Sequence, residues 1–149
     1  MNSSKRTLKN KLSTQKNKKD KILSDIIRTL LCILNTVKIY HWNTDDYSTH
    51  KATDKLYDEL NDKIDKFVEI MLGKVSTGTK HKLLNVKSLT IHNFTSNQNF
   101  KKETEKNKNF LINLSNEKML NIPENSDLMN VRDEILGDLN QFLYLLNLH

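Results

Sequence analysis

Four side chains with metal-binding chemistry recur along one stretch of the chain: His50, Asp54, Asp65 and Glu69. The stretch has helical periodicity, so spacing translates into direction. At ~100° per residue, Asp54 and Asp65 lie within ~20° of each other, and the four residues span an arc of only ~100°. That arc borders the apolar stripe near Tyr57 and Val68 and does not oppose it. His50 with Asp54, and Asp65 with Glu69, are i,i+4 pairs, the spacing at which two helical side chains converge on one ion. An imidazole with carboxylates suits iron, manganese or zinc, and an oxygen-rich set with open positions suits Fe(II) oxidation.

Distance limits what one chain can do with these pairs. The helix from His50 to Glu69 measures ~28 Å, so the two pairs cannot hold the same ion within a single chain. Two copies of the helix packed antiparallel about a twofold axis remove the difficulty. The pair at the start of one helix then faces the pair at the end of the other, around a crossing near Glu59 and Leu60. Such an isologous contact creates two equivalent sites, each shared between chains. His41, one connection upstream, stands where it can complete each site.

The elements that must position these residues follow from the apolar spacing. Leu23, Ile27, Leu30, Leu34, Val37 and His41 share one face of a helix over about 22–44. Thr44 to Thr49 reads as a short connection with a Ser or Thr cap, and Asp45 and Asp46 as loop acids. Leu56, Leu60, Ile64, Phe67 and Met71 define a second helix over about 49–72, with Gly73 as its C-cap. Residues 74–99 lack strong periodicity, apart from a short helix near Lys80–Leu84. A connection of this length fits a crossover between parallel helices of a four-helix bundle. A third helix over about 100–118 carries Phe100, Phe110, Leu111 and Leu114, and Asn121-Ile122-Pro123-Glu124 breaks the chain after it. The fourth, about 126–147, carries Leu128, Val131, Ile135, Leu139, Phe142 and Leu146, with Asn125 or Ser126 as cap. The expected fold class is all-α, a four-helix bundle with one long crossover between its second and third helices.

Composition narrows the chemistry. Three Gly and one Pro leave little material for β-turns or phosphate-cradling loops, and no G-x-G-x-x-G, G-x-x-x-x-G-K-[ST] or G-x-S-x-G motif occurs. A single cysteine, Cys32, excludes an intrachain disulfide framework and a Cys-cluster zinc site. No apolar run approaches the ~20 residues of a membrane span, and the first residues do not read as a secretory signal. At 149 residues the chain fits one domain.

The formal charge of +6 is unevenly placed. Residues 1–21 carry +7, from Lys5, Arg6, Lys9, Lys11, Lys16, Lys18, Lys19 and Lys21 against Asp20, whereas residues 22–149 carry −1. With Met1, Leu8 and Leu12 as its only large apolar residues, the segment 1–21 is expected to be a disordered basic arm that contacts DNA phosphates without reading sequence. A preference for Lys over Arg and a wealth of Asn point to codon bias, which weakens inferences from lysine content alone. Tyr40 and Trp42 read as packing residues, His81, His92 and His149 as solvent or structural residues, and Asp133, Glu134 and Asp138 as a solvated helix face.

The run Tyr40-His41-Trp42-Asn43, followed by His50-x-x-x-Asp54, Leu56-Tyr57, Asp65, Glu69 and Leu72-Gly73, resembles the Dps mini-ferritins of the ferritin-like superfamily. It is also similar to ferritin-like proteins of large DNA viruses. The resemblance covers about 22–148, with its specificity concentrated in 40–73. It implies a ferritin-like four-helix bundle and a ferroxidase site across a twofold interface, with iron (Fe2+/Fe3+) or another divalent metal bound there. His41, His50 and Asp54 would come from one chain and Asp65 and Glu69 from the other, and Trp42 corresponds to a Trp near the site. It further implies a homo-oligomer, a dimer at least and up to a dodecamer, with iron storage and DNA protection. The expected location is the cytoplasm or nucleoid, or a virion for a viral protein. The connection between His41 and His50 is shorter than the usual Dps pattern, and Asp45-Asp46-Tyr47-Ser48 replaces the family's Gly-x-x-Phe element. The Glu-x-x-His motif of larger di-iron bundles is absent. The alternative is a non-enzymatic DNA-binding or virion-assembly protein of the same fold with a degenerate metal site.

Overall fold

Apolar residues at steps of three and four give each helix one stripe to bury, and four such stripes close around a shared core. The computed structural model describes the backbone of residues 2–75 and 86–148, and the side chains of residues 14, 18–74 and 86–148. Helix α1 spans Asn2–Asn43, α2 Tyr47–Val75, α3 Asn97–Asn113 and α4 Ser126–Leu146, with 3₁₀ turns at Leu114–Asn116 and Pro123–Asn125. No strand occurs among the described residues.

Side-chain contacts fix the helix directions. Between α1 and α2, His41 meets Thr53 while Leu23 and Met71 line one cavity, so the two run antiparallel. Between α2 and α4, the Lys74 ammonium lies 2.9 Å from Asp127 and Lys63 2.5 Å from Asp138, again an antiparallel register. Helix α3 pairs antiparallel with α4, through Phe100 against Phe142 at one end and Arg132 donating to the Leu111 carbonyl at the other. It also opposes α1, where Tyr40 stacks on Phe100 at 3.9 Å. Helices α1 and α4 therefore run one way and α2 and α3 the other. Helices α2 and α3 thus run in the same direction; of the connection between them, residues 76–85 lie outside the described residues. Its second half lies on α1: the His92 backbone N–H donates to Thr36 Oγ1, and Asn43 donates to Asn93.

The core consists of the expected stripes. Leu23, Ile27, Leu30, Leu34 and Val37 of α1, Leu56, Leu60, Ile64, Phe67 and Met71 of α2, and Leu128, Val131, Ile135, Leu139, Phe142 and Leu146 of α4 are all buried. Ile26, Ile33 and Tyr40 widen the α1 face, because this helix meets two neighbours.

Several expectations need correction. Residues 2–21 form the first turns of α1, not an irregular arm. No Gly or Pro interrupts them, and adding residues to an existing helix is far easier than nucleating one. At 1.5 Å per residue α1 is ~63 Å long against ~43 Å for α2, so its Lys-rich start outruns its partner. Lys18, Lys19 and Lys21 are exposed, whereas the side chains of Lys5, Arg6, Lys9, Lys11 and Lys16 lie outside the described residues. The short helix near Lys80–Leu84 also falls outside them.

Gly73 is not a C-cap, because α2 continues to Val75. Helix α3 begins three residues earlier than expected and ends at Asn113; there Arg132 donates to Ser115 Oγ and to Leu111 O, a carbonyl that also accepts from the Leu114 N–H. Asn125 occupies the N-cap position of α4, but its amide donates instead to the Met119 and Leu120 carbonyls. Asp138 is not part of a solvated face: its carboxylate accepts from Lys63 at 2.5 and 2.6 Å, and its side chain is only 11 % exposed. Asp133 and Glu134 are exposed as expected. The Lys74 hydrogen bond holds the exposed Asp127 carboxyl below its usual value.

Candidate metal centre

The chain turns between α1 and α2 in three residues, which brings His41, the last inward-facing residue of α1, against the first turns of α2. Of the two loop acids, Asp46 makes the turn. Its carboxylate accepts from the Thr49 N–H at 2.7 Å and from the Ser48 hydroxyl at 2.5 Å, an N-cap that satisfies free donors at the start of α2. Neither Ser48 nor Thr49 is the cap.

His41 is buried and His50 half-buried, and their rings stack with centroids 3.9 Å apart at 27°. The two residues exchange hydrogen bonds. His41 Nδ1 lies 3.1 Å from the His50 carbonyl, and His50 Nδ1 lies 3.0 Å from the His41 carbonyl. A carbonyl can only accept, so both contacts are hydrogen bonds when Nδ1 carries the hydrogen, and in that tautomer each ring leaves Nε2 as an acceptor. Metal-binding histidines take this arrangement, with the far nitrogen tied to a carbonyl or carboxylate. His41 Nε2 faces Asp54 Oδ1 at 3.7 Å, and Asp54 is half-exposed. In that tautomer two acceptors face each other with no hydrogen between them. One cation with ligand distances of about 2.0–2.2 Å reaches both.

The short connection thus places His41, one of the five expected ligands, beside two others, His50 and Asp54. Asp65 and Glu69 are exposed on the same helix, ~16 Å and ~22 Å further along from Asp54. Among the described residues no group of three or more His, Cys, Asp or Glu converges tightly enough to hold a metal ion. His41, His50 and Asp54, the candidate half-site, are donor types that iron, manganese or zinc accept, but within one chain they do not close around an ion.

A family model covers residues 41–146. The chain belongs to that family of unknown function, DUF5856. The DUF5856 match begins at His41, so it contains all five candidate ligands and leaves out the Lys-rich start of α1. No curated protein and no solved structure matches the chain.

Around the half-site are residues that sequence reasoning passed over. Thr53, fully buried, donates its hydroxyl to the Thr49 and His50 carbonyls at 2.8 and 3.0 Å, and its oxygen lies 3.3 Å from His41 Nδ1. Tyr40 donates to Asn97 Oδ1, and Asn97 in turn donates to Thr49, which ties the start of α3 to the α1–α2 turn. Burial pushes the Tyr40 phenol above its usual value. The available signal was register: Thr49 and Thr53 continue the Leu60–Leu56 stripe towards the N-terminus of α2, so they are polar residues at core positions. Trp42 does not pack inside the chain; it is 65 % exposed. The Lys38 ammonium sits 5.8 Å from its ring centroid and 4.3 Å from that of Tyr57, a cation bridging two aromatic faces beside the half-site. Of the remaining histidines, His92 is exposed near Phe94, and His81 and His149 lie outside the described residues.

Proposed function

We propose that the protein is a Dps-like, ferritin-like oxidiser of Fe(II), with a site shared across a twofold dimer. His41, His50 and Asp54 of one chain and Asp65 and Glu69 of its mate hold the iron. The observation that carries this reading is His41 Nε2 at 3.7 Å from the Asp54 carboxylate, with both imidazoles tied back through Nδ1. The exposed Asp65 and Glu69 supply what the half-site lacks, and the helix directions with a single crossover suit a ferritin-like bundle.

The chemistry needs little from the protein beyond placement. Fe(II) is the substrate and gives up one electron to an oxidant, O₂ or peroxide. Carboxylates bind the product, Fe(III), more tightly than Fe(II), because the electrostatic attraction grows with metal charge. Asp54, Asp65 and Glu69 therefore favour the oxidised ion, while the imidazoles help to retain iron before oxidation. Iron storage in a larger homo-oligomer follows as an extension of the same reading. The test is to mix purified protein anaerobically with Fe(II), add peroxide and follow the absorbance of the ferric product. Wild-type protein should accelerate the reaction over buffer, and a rate equal to buffer sinks the reading.

A second reading, a DNA-binding protein with a degenerate metal site, is favoured by the +7 charge of residues 1–21 and the exposure of Lys18, Lys19 and Lys21. Phosphate contacts release condensed counterions, so affinity should fall steeply with salt. Protein lacking residues 2–17 should lose gel retention of duplex DNA at low salt. Equal retention by the shortened chain would remove that segment from any DNA role.

A further inference from the structure

The reciprocal histidine bonds do not by themselves explain why the His41 ring keeps one orientation. An imidazole rotates about its χ2 bond by a half-turn at modest cost, which would put Cδ2 where Nδ1 lies and turn a carbon, Cε1, towards Asp54 in place of Nε2. A hydroxyl on the inner side resists this. Thr53 Oγ1 lies 3.3 Å from His41 Nδ1, and its own hydrogen is committed to the Thr49 and His50 carbonyls. The oxygen is therefore left as an acceptor towards the ring. The Nδ1–H is shared between two acceptors, Thr53 Oγ1 and His50 O.

We propose that Thr53 is a positioning residue for the metal half-site: its hydroxyl holds His41 in the Nδ1–H tautomer, so that the Nε2 lone pair faces Asp54. The inference rests on the metal reading above for its consequence, but the tautomer itself is independent of any metal. Thr53 suits the role because it is fully buried, one residue before Asp54 and three after His50. Its hydroxyl also touches the carbonyl that His41 uses, so one side chain braces both ends of the exchanged pair.

The test uses the full chain with four residues at this position: Thr, and the Thr53→Ser, Thr53→Val and Thr53→Ala variants. Long-range proton–nitrogen NMR correlations report the His41 tautomer in metal-free protein, and Co(II) titration followed by its visible absorption reports affinity. Wild type and Thr53→Ser should hold the Nδ1–H form and bind Co(II) alike. Thr53→Val and Thr53→Ala should populate the other tautomer and weaken Co(II) binding about 10- to 100-fold, the usual cost of losing a group that orients a ligand. Should Thr53→Val fail to fold, comparing Ser with Ala isolates the hydroxyl equally well. An unchanged tautomer in the hydroxyl-free variants overturns the proposal. If wild type shows the expected tautomer but binds no Co(II), the metal reading fails while the effect of Thr53 on the ring is still decided by NMR.

Discussion

His50→Ala and Asp65→Ala should each slow Fe(II) oxidation by ~100-fold or more, since removing even a partner of a ligand costs 10- to 100-fold. The two substitutions test different halves of the site. His50→Ala removes an Nε2 ligand and the stacking partner of His41, but leaves the backbone carbonyl that accepts from His41 Nδ1. Asp65→Ala is the sharper experiment. Asp65 is exposed, so its loss should change stability by no more than about 0.5 kcal/mol. A large kinetic effect from an exposed carboxylate ~16 Å along the helix from Asp54 has no explanation within one chain. Stopped-flow rates beside thermal melts separate the two outcomes, and undiminished oxidation by Asp65→Ala would remove that residue from the site.

The largest expected effect on stability lies on α4, away from the metal chemistry. Ile135 is fully buried, against the core stripe that also contains Leu60 and Leu111. Ile135→Ala removes methyl groups that the close-packed surroundings cannot fully replace, and should cost about 3 kcal/mol, within the ~2–5 kcal/mol range of such truncations. For a chain of 149 residues this corresponds to a fall of about 10 °C in Tm, at ~2–4 °C per kcal/mol. Its neighbour Glu134 is exposed, and Glu134→Ala should lie within about 0.5 kcal/mol of wild type. Denaturant unfolding at one fixed protein concentration measures both, because any association of chains makes Tm concentration-dependent. Similar midpoints for Ile135→Ala and wild type would contradict the packing described for α4.

What could be read in the sequence, and what could not, divides along physical lines. The stripes of α1, α2 and α4 were legible because burial imposes a period on every turn, and a long aperiodic polar stretch between strong helices has few uses other than a crossover. The start of α1 was not. It has few apolar residues, and the reading that such a segment stays irregular neglects propagation from the packed helix behind it. Asp46 as cap and Asp138 as partner of Lys63 were missed for a shared reason: a lone carboxylate's role depends on which donor the tertiary fold brings to it.

The proximity of His41 to His50 and Asp54 was legible from their places in the sequence, but the contacts between them were not. The spacing of His50 and Asp54 showed that they share a helix face, and His41 could be placed one connection away. It could not show that a three-residue turn would let His41 and His50 exchange Nδ1–H bonds with each other's carbonyls. That exchange ties both rings back through Nδ1. Thr53 was hidden because threonine inside a helix signals nothing by type, only by its place in the buried register.

Subunit complementation tests the shared site most directly. His50→Ala and Asp65→Ala each damage both sites of their own homodimer. A mixed dimer pairs the intact His50 of one chain with the intact Asp65 of the other, which restores one site and leaves its twin doubly broken. With random pairing, half of the dimers are mixed and each regains one of two sites, so about a quarter of the wild-type oxidation rate should return. The two variants are unfolded together, refolded and compared with each variant refolded alone. Recovery to about a quarter is the result expected of a site built from two chains; a mixture no faster than its inactive parents would contradict it.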